Sequence, residues 1–516
     1  MRATGFCVLL LGVAALPAQD IKEFEKHVTE FALPNGLQFL IVERHDAPAV
    51  SFHTYVRAGS ADDPTGHTGL AFLFERLAFT GTEAIGSKNW AEERKALDAV
   101  EEAYDRLEAE RNLVKPSPGR IDTLEAHVRV AVDNANRYAD SKQYSDVLLE
   151  NGSTGVGVTV SADATESYYS LPSNRLELWF LMESQRLMRP VFRDFYTERA
   201  ASMEQQQRRS DIAAQGRLFT EFAAAAFEAH PYRNPTGGWP SDLPSLRRTD
   251  AKAFFDQYYV PGNITMTIVG DVNPAEARRM AEKYFGGWPA RLAPPLVHTL
   301  DPPPLGPRTV VVESGNVQTG ITLVGYKRPS RFDPDDAALD VLQIILSQGR
   351  TGLLYKELIT DKHLAQSAQA ASSFPGGRFP NIFLFVVVPA QGHTADELQR
   401  ALDEFLNRLK QQRLDDNTMV RARAQARVTL MNRVGGNAGL AAMLGLYQGG
   451  YGDWRKLFLT VGEVNKVSAG DIQRVLLKYF VPIGRTTAYT VYPGQSGMPP
   501  APRPSAPAVD KPGDKK

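Results

Sequence analysis

The sequence predicts an α+β protein made of two similar units, with a helical hairpin inserted in the first unit. Three observations predict this class. Apolar strands alternate with amphipathic helices, the same order recurs after a proline-rich stretch at 291–307, and residues 87–150 show a heptad-like pattern. The 516 residues include 58 Lys and Arg against 59 Asp and Glu. A balance so close to zero gives no electrostatic reason to expect a nucleic-acid partner.

The first 18 residues are typical of a secretory signal peptide. One arginine precedes an apolar run from about Gly5 to Leu16, and small residues stand at Ala15 and Ala18. This run is shorter than the roughly 20 residues that a membrane span needs, and no later run is long enough. We therefore expect cleavage after Ala18 and an exported protein, periplasmic or secreted, without a membrane span. Because Cys7 is the only cysteine, the mature chain has no disulfide.

Residues 19–290 are predicted to form the first unit. The stretches "LQFLIVE" and "AVSFHTYVR" have strand patterns, and "GLAFLFERLAFTGT" at 69–82 has the pattern of an amphipathic helix. Within 87–150, apolar residues recur at heptad spacing on both sides of the turn "KPSPGR", which predicts two helices packed as a hairpin. The strand pattern "ITMTIVG" and a helix opened by Asn273 and Pro274 complete the unit.

Residues 291–307 are rich in proline and are predicted to be a linker. After the linker, the strand and helix order recurs in 308–494, which is predicted to be the second unit. It contains two strands in "RTVVVESGNVQTGITLVGYK", helices in "DDAALDVLQIILSQG" and "GLLYKELITD", the strand "NIFLFVVVPAQG" and a closing strand "RTTAYTVYP". The tail at 495–516 is rich in proline and lysine and is expected to be disordered.

In this order, the motifs resemble those of the pitrilysin/insulinase family of metallopeptidases, the inverzincins. The matching features are "LPNGL", the helix at 69–82, "LPSNRLELW" with "PVFRDFYTER", "YVPGN" with "IVGDV", and "LLYKEL" in the second unit. The resemblance covers essentially all of the mature sequence, and the hairpin resembles an insertion found in a bacterial branch of the family. It implies two homologous halves around a chamber, each with a largely antiparallel sheet and packed helices.

Active members of that family carry H-x-x-E-H on the first helix, with two histidines and a glutamate from a second helix binding Zn²⁺. The glutamate of the motif polarises the metal-bound water. In this chain the aligned residues are Phe72, Glu75 and Arg76, and "ERAASMEQ" places Gln205 at the third-ligand position and keeps Glu198. The resemblance therefore implies that Glu75 occupies the base position, while all three ligand positions are degenerate.

Glu204 could stand in for the third ligand if the alignment shifted by one residue. A shift of one residue turns a helical side chain by about 100°, away from the site. Even with Glu204, one carboxylate without a histidine does not make a zinc site. We therefore expect no bound metal and no cofactor.

Three other positions that the family uses for substrate also differ. The family pattern of an arginine followed seven residues later by a tyrosine falls on "LITDKHLAQ", where Ile359 and Gln366 stand. The asparagine that the family has on its substrate-binding strand is Gly157 in "TGVGV". Together with the metal positions, these degenerate positions indicate a chain that has lost catalytic activity.

The adjacent charges at Glu75 and Arg76 then need an explanation. A carboxylate left in a closed chamber would be costly, and an arginine at a former ligand position can neutralise it together with Glu198. We predict that Arg76 pairs with Glu198 or another acid of the helix at 197–210, and that Phe72 fills the emptied volume. The alternative is that Arg76 is a surface residue.

These patterns favour a non-catalytic, exported homologue of the zinc peptidases. It would act as the partner subunit of a homologous active peptidase or as a binder of extended peptides. One alternative is an active metalloendopeptidase that uses unusual ligands or a partner's zinc, in which case zinc would be a cofactor. A second alternative is a structural scaffold that binds no peptide.

Overall fold

The computed structural model describes residues 24–208, 214–313 and 320–491. The predicted signal peptide and the tail from 495 lie outside these residues. The chain divides into two compact units. Unit 1 contains residues up to 203, 234–298 and 420–467; unit 2 contains 204–233, 299–419 and the residues from 468 onward. Each unit is discontinuous in sequence, whereas the predicted halves at 19–290 and 308–494 are each continuous.

The strands of the described residues fall into two sheets, one in each unit. In chain order they are β1 (Val28–Ala32), β2 (Gln38–Glu43), β3 (Ala49–Val56), β4 (Thr154–Val160), β5 (Thr165–Pro172), β6 (Ile264–Gly270), β7 (Arg308–Glu313), β8 (Thr322–Arg328), β9 (Ala365–Phe374), β10 (Asn381–Pro389) and β11 (Arg485–Val491).

The α-helices connect and cover the strands. In chain order they are α1 (Leu70–Leu77), α2 (Trp90–Arg111), α3 (Pro118–Asn136), α4 (Gln143–Glu150), α5 (Leu176–Met188), α6 (Phe195–Gln207), α7 (Ala214–Ala226), α8 (Arg248–Tyr258), α9 (Pro274–Phe285), α10 (Asp336–Ser347), α11 (Ala395–Gln411), α12 (Asp416–Val434), α13 (Asn437–Tyr451), α14 (Lys456–Lys466) and α15 (Ala469–Tyr479).

The two sheets share one strand order. Unit 1 has the order β1-β2-β6-β3-β5-β4, and unit 2 has β7-β11-β8-β10-β9. Each sheet contains one parallel pair, β2 with β6 and β7 with β11, and the other pairs are antiparallel. Apart from β1, the second order repeats the first strand for strand. The prediction of an α+β fold with two largely antiparallel sheets is confirmed.

Each sheet is covered on one face by a helix from the other part of the sequence. Helix α13 packs on β3 and β6 in unit 1, and α7 packs on β7 and β11 in unit 2. The close approach of α13 depends on glycine, because a Cβ at Gly445 would lie 2.7 Å from Nδ1 of His53. In unit 2, Phe222 of α7 is fully buried and lies against Gly325 of β8.

The predicted helical hairpin is present in unit 1. Helices α2 and α3 pack along each other around a small core of Ala103, Leu107 and Val128. At the base of the hairpin, the carboxylate of Glu93 on α2 forms an ion pair with the guanidinium of Arg193, and both side chains are 1% exposed. The hairpin is therefore held to the body of unit 1 by a fully buried ion pair.

Asp335, which precedes α10, gives unit 2 an acid-sensitive contact. Burial alone would raise the pKa of its carboxyl, but hydrogen bonds from Lys478, Tyr479 and Arg474 outweigh burial and hold that pKa well below its usual range. A depressed folded-state pKa adds stability at pH values above the unfolded pKa of about 3.9, and this stability is lost as the pH falls further.

We expect Asp335→Asn to lower the free energy of unfolding by about 1.5–3 kcal/mol at pH 6. The difference from the parent should shrink as the pH falls below about 4, because the unfolded parent chain then binds a proton at this carboxyl and the parent loses stability. Urea unfolding at several pH values measures both effects. A difference that stays constant down to pH 3 would contradict the assignment.

Candidate degenerate metal site

The beginning of helix α1 is fixed by two carboxylates. Asp63 accepts hydrogen bonds from the backbone N–H groups of Gly69 and Ala71, both at 2.8 Å. Asp242 accepts from the hydroxyl of Thr68 at 2.6 Å. Burial raises the pKa of the Asp63 carboxyl well above its ordinary value, against the effect of the two N–H donors. These contacts satisfy N–H groups that the first turn of a helix leaves without partners.

Helix α1 buries its apolar residues and exposes its two charged residues. Leu70, Leu73 and Phe74 are fully or almost fully buried, while Glu75 and Arg76 are exposed. Phe72 is 7% exposed and belongs to the core of unit 1. Phe72 is therefore buried, and that it fills the volume emptied by the lost metal stays a prediction.

The predicted contact of Arg76 is also confirmed. Its Nη1 atom lies 2.8 Å from Oε2 of Glu198 on helix α6, and the two side chains are 35% and 25% exposed. Glu198 has Gln205 seven residues further along the same helix, a rise of about 10 Å. The acid that meets the former motif is thus Glu198, two turns before the position aligned with the third ligand.

Glu75 is exposed, so the expectation that this carboxylate lies in a closed chamber and is neutralised there by Arg76 is wrong. Of the eight residues of this helix, only Glu75 and Arg76 are exposed, although Ala71 and Phe72, one turn earlier on the same side, are buried. Solvent therefore already stabilises this carboxylate, and the ion pair at Arg76 has a different role. It joins α1 to α6.

The residues at this position do not fit a zinc ion. Phe72 is a phenyl ring in the core, and Arg76 is a cation whose guanidinium pairs with Glu198. Among the described residues, no group of three or more His, Cys, Asp or Glu side chains is arranged to hold a metal. Zinc sites need several nitrogen, sulfur or carboxylate ligands, and this donor set supplies too few.

The ion pair is half-exposed, and its contribution to stability should be modest. We expect Arg76→Ala to lower the free energy of unfolding by no more than about 1 kcal/mol, since water and salt screen such pairs. Arg106→Ala, which removes the exposed pair with Glu102 in the hairpin, is a matched control. Urea unfolding of both variants checks this. A loss above about 3 kcal/mol at Arg76 alone would mean that the pair holds α1 in place.

Strand β4 forms one edge of the sheet in unit 1 and lies beside α1. Gly157 on this strand faces Tyr168 of β5 across the pair, and a Cβ at Gly157 would lie 2.8 Å from the tyrosine ring. The Tyr168 hydroxyl also lies 3.3 Å from Oγ1 of Thr159. Tyr168 therefore fills the space of a side chain at 157, an arrangement known from glycine–aromatic pairs in sheets. This gives a physical reason for glycine at this degenerate position.

The two degenerate positions of the second half lie in unit 2. Ile359 is in a π-helical turn, Tyr355–Asp361, and is half-buried; its carbonyl oxygen lies 3.0 Å from Nδ1 of His363. Gln366 is exposed near the start of β9. Both residues stay predicted substrate positions that have lost the side chains for that task.

Sequence reasoning missed the residues that position the site. Asp63 and Asp242 hold the beginning of α1, and Tyr168 covers Gly157. The cluster of Asp, Thr and Gly before the helix at 69–82 is a signal for capping, because these residues favour helix beginnings and turns. No local signal marks Tyr168, since its contact depends on strand register.

The fold has an α+β architecture with two sheets, and its helix α1 aligns with the zinc-binding motif of metallopeptidases. Together these features define the class as a protein of metallopeptidase fold. Two family profiles agree with this class. Residues 38–109 match "Insulinase (Peptidase family M16)" and residues 245–426 match "Peptidase M16 inactive domain". The chain belongs to peptidase family M16, the insulinase family.

Known relatives are distant but cover most of the chain. The zinc protease PqqE of Helicobacter pylori is 24% identical over 484 residues, which are 92% of this chain and 95% of the relative. An uncharacterized zinc protease of Mycobacterium leprae is 24% identical over 349 residues, 67% of this chain and 65% of the relative.

Solved structures show the same fold. A protease from Helicobacter pylori matches with a TM-score of 0.75 at 21% identity, covering 90% of this chain and 99% of that chain. A peptidase M16 inactive domain from Pseudomonas fluorescens matches at 0.70 and 16%, with coverage of 90% and 97%. The first half of the periplasmic protease PqqL from Escherichia coli matches at 0.61 and 15%, with coverage of 90% and 92%. In the described residues no helix is long and apolar enough to cross a membrane.

Proposed function

We propose that this protein is a non-catalytic, exported member of family M16 that binds extended peptides, alone or as the partner subunit of an active peptidase. One observation supports the proposal: Arg76 pairs with Glu198 and Phe72 is buried, and both Phe72 and Arg76 align with zinc-binding histidines of active members. Without metal ligands, Glu75 has no metal-bound water to polarise.

The purified mature chain is expected to contain substoichiometric zinc and to leave a generic unstructured peptide uncleaved. Metal analysis by mass spectrometry and a peptide cleavage assay measure this. The variant Phe72→His/Arg76→His restores two imidazoles at i and i+4 on α1, and its zinc affinity should exceed that of the parent by at least about tenfold. It is a positive control for the metal measurement.

The alternative is an active metallopeptidase, and it has support because two relatives carry the name zinc protease. Stoichiometric zinc in the parent chain, with hydrolysis abolished by Glu75→Gln, would establish this alternative and overturn the proposal. Hydrolysis that requires a second chain with intact ligands would favour a partner subunit. A chain without zinc, hydrolysis or peptide binding would be a scaffold.

Peptide binding is supported by the free edge of β4. Among the described strands, β4 pairs with β5 alone, and its residues 154–156 and 159 are exposed. A strand edge of this kind offers backbone N–H and C=O groups to an added peptide strand. At Gly155 nothing lies within 4 Å of a built Cβ, so this part of the strand is uncrowded.

Hydrogen exchange tests this binding mode. Addition of an excess of unstructured peptide should slow the exchange of the β4 amides. Strand β1, the opposite edge of the same sheet, is the internal control and should be unchanged. Equal protection at β1 and β4, or none at either, would contradict binding at the β4 edge.

We propose a periplasmic or secreted location because of the signal-like leader. Cell fractionation with N-terminal sequencing of the mature chain tests it.

A further inference from the structure

Helix α12 carries a row of apolar side chains on its exposed side. Val420, Ala424, Val428 and Met431 follow at intervals of four, four and three residues, so they fall within about 80° of one another around the helix. The two valines and the methionine are 60%, 50% and 46% exposed, and Ala424 is exposed as well. We call these four residues the α12 stripe. A continuous apolar row of this kind marks a surface on which another apolar surface can dock.

The stripe lies in a strongly basic stretch. Residues 420–434 include four arginines and no aspartate or glutamate, although the charge of the whole chain is nearly balanced. By helical position, Arg423 and Arg427 run along one side of the stripe. Positive charge is therefore concentrated beside the apolar row.

The contacts of these two arginines leave their charge uncompensated. Arg423 donates from Nη2 to the carbonyl oxygen of Val467 at 2.5 Å, and Arg427 donates from Nη2 to Oδ1 of Asn465 at 3.4 Å. Both acceptors are uncharged. In the described part of the chain, neither guanidinium lies within salt-bridge distance of a carboxylate. An incoming carboxylate would supply the negative charge that these two arginines lack.

We propose that the α12 stripe and its flanking arginines dock an acidic amphipathic segment of a partner protein. Charge complementarity selects this occupant. A second copy of the same helix would bring like charges together, which costs affinity. The row is only about 16 Å long and contains no Trp or Phe, so it offers little to an anionic membrane surface. This inference does not depend on whether the position at Arg76 binds a metal.

The test uses the full mature chain and three synthetic peptides of about 18 residues, or five helical turns. The first has leucines spaced along one helical face and glutamate elsewhere. The second has the same composition in scrambled order, and the third has lysine in place of glutamate. Fluorescence anisotropy of labelled peptides gives the Kd. The first peptide should bind at least about tenfold more tightly than either of the others.

Substitutions identify the residues of the chain that bind the first peptide. Val428→Asp should raise the Kd of the first peptide at least about tenfold, and Arg427→Gln about fivefold. Val130→Asp, at a 68% exposed valine of the hairpin, and Arg433→Gln, on another side of α12, are matched controls and should leave the Kd unchanged. Circular dichroism verifies that each variant is folded.

Three results would overturn the proposal. The first is equal binding of the ordered and scrambled acidic peptides. The second is equal effects of Val428→Asp and Val130→Asp. The third is binding to phosphatidylglycerol vesicles without binding to the acidic peptide, which would assign this surface to a membrane. None of these results bears on zinc content or on exchange at β4.

Discussion

Replacing Arg193 by methionine is expected to lower the free energy of unfolding by about 3–5 kcal/mol, because it leaves the carboxylate of Glu93 buried without its cation. Both side chains of this pair are 1% exposed. The guanidinium also donates to the carbonyl oxygens of Thr82 at 2.6 Å and Ile85 at 3.0 Å. A single substitution therefore removes the cation that pairs with a buried carboxylate and the hydrogen bonds to these two carbonyl oxygens. Urea unfolding with linear extrapolation measures the loss.

The double variant Arg193→Met/Glu93→Met distinguishes the loss of the pair from the loss of packing. With both charges removed, no buried ion remains, and stability should return to within about 1–2 kcal/mol of the parent. Arg106→Ala in the same hairpin is again the exposed control. If the single Arg193 variant unfolds like the parent, water must reach Glu93, and the hairpin is not held by a buried pair.

Gly238→Ala is expected to cost about 2–6 kcal/mol, the sum of backbone strain and a steric clash. Gly238 has φ of +82°, a conformation that L side chains rarely adopt, and its Cβ would lie 2.7 Å from Cα of Gly69. Gly69 immediately precedes α1 and also has a positive φ. The backbone at 238 therefore supports the beginning of the helix that carries Phe72 and Arg76.

Gly66→Ala is the matched control for this substitution. Gly66 has φ of +81°, but nothing lies within 4 Å of a Cβ built on it. It should show the strain alone, about 1 kcal/mol. The difference in unfolding free energy between the two variants then measures the clash. Equal effects at both positions would mean that the loop at 238 moves away from α1 without cost.

Much of the fold could be predicted because its signals are local. The stretch "ITMTIVG" consists mainly of β-branched and apolar residues, and it forms β6, which is buried at every position. The heptad spacing at 87–150 gave both helices of the hairpin. One local prediction is only partly right, because "GLLYKELITD" forms a short π-helical turn in place of a regular helix.

The parts that sequence could not supply depend on distant contacts. One distant contact is an exception, because the pairing of Arg76 with Glu198 was predicted from two charges near aligned motifs and is confirmed. The exposure of Glu75 was not predicted, because it depends on how the end of α1 packs against the rest of unit 1. The role of Tyr168 required the register of β5 against β4, which no local pattern reveals.

Helix α7 precedes the linker in sequence but packs on the sheet of unit 2, whereas α13 follows the linker but packs on the sheet of unit 1. This arrangement limits how the polypeptide can be divided. A cut in the proline-rich linker would yield one fragment without α13 and another without α7. Each fragment would expose a sheet face rich in β-branched and aromatic side chains, so each should aggregate when produced alone. Co-expressed fragments should rescue each other's solubility, and the protein would behave as an obligate pair of complementing pieces.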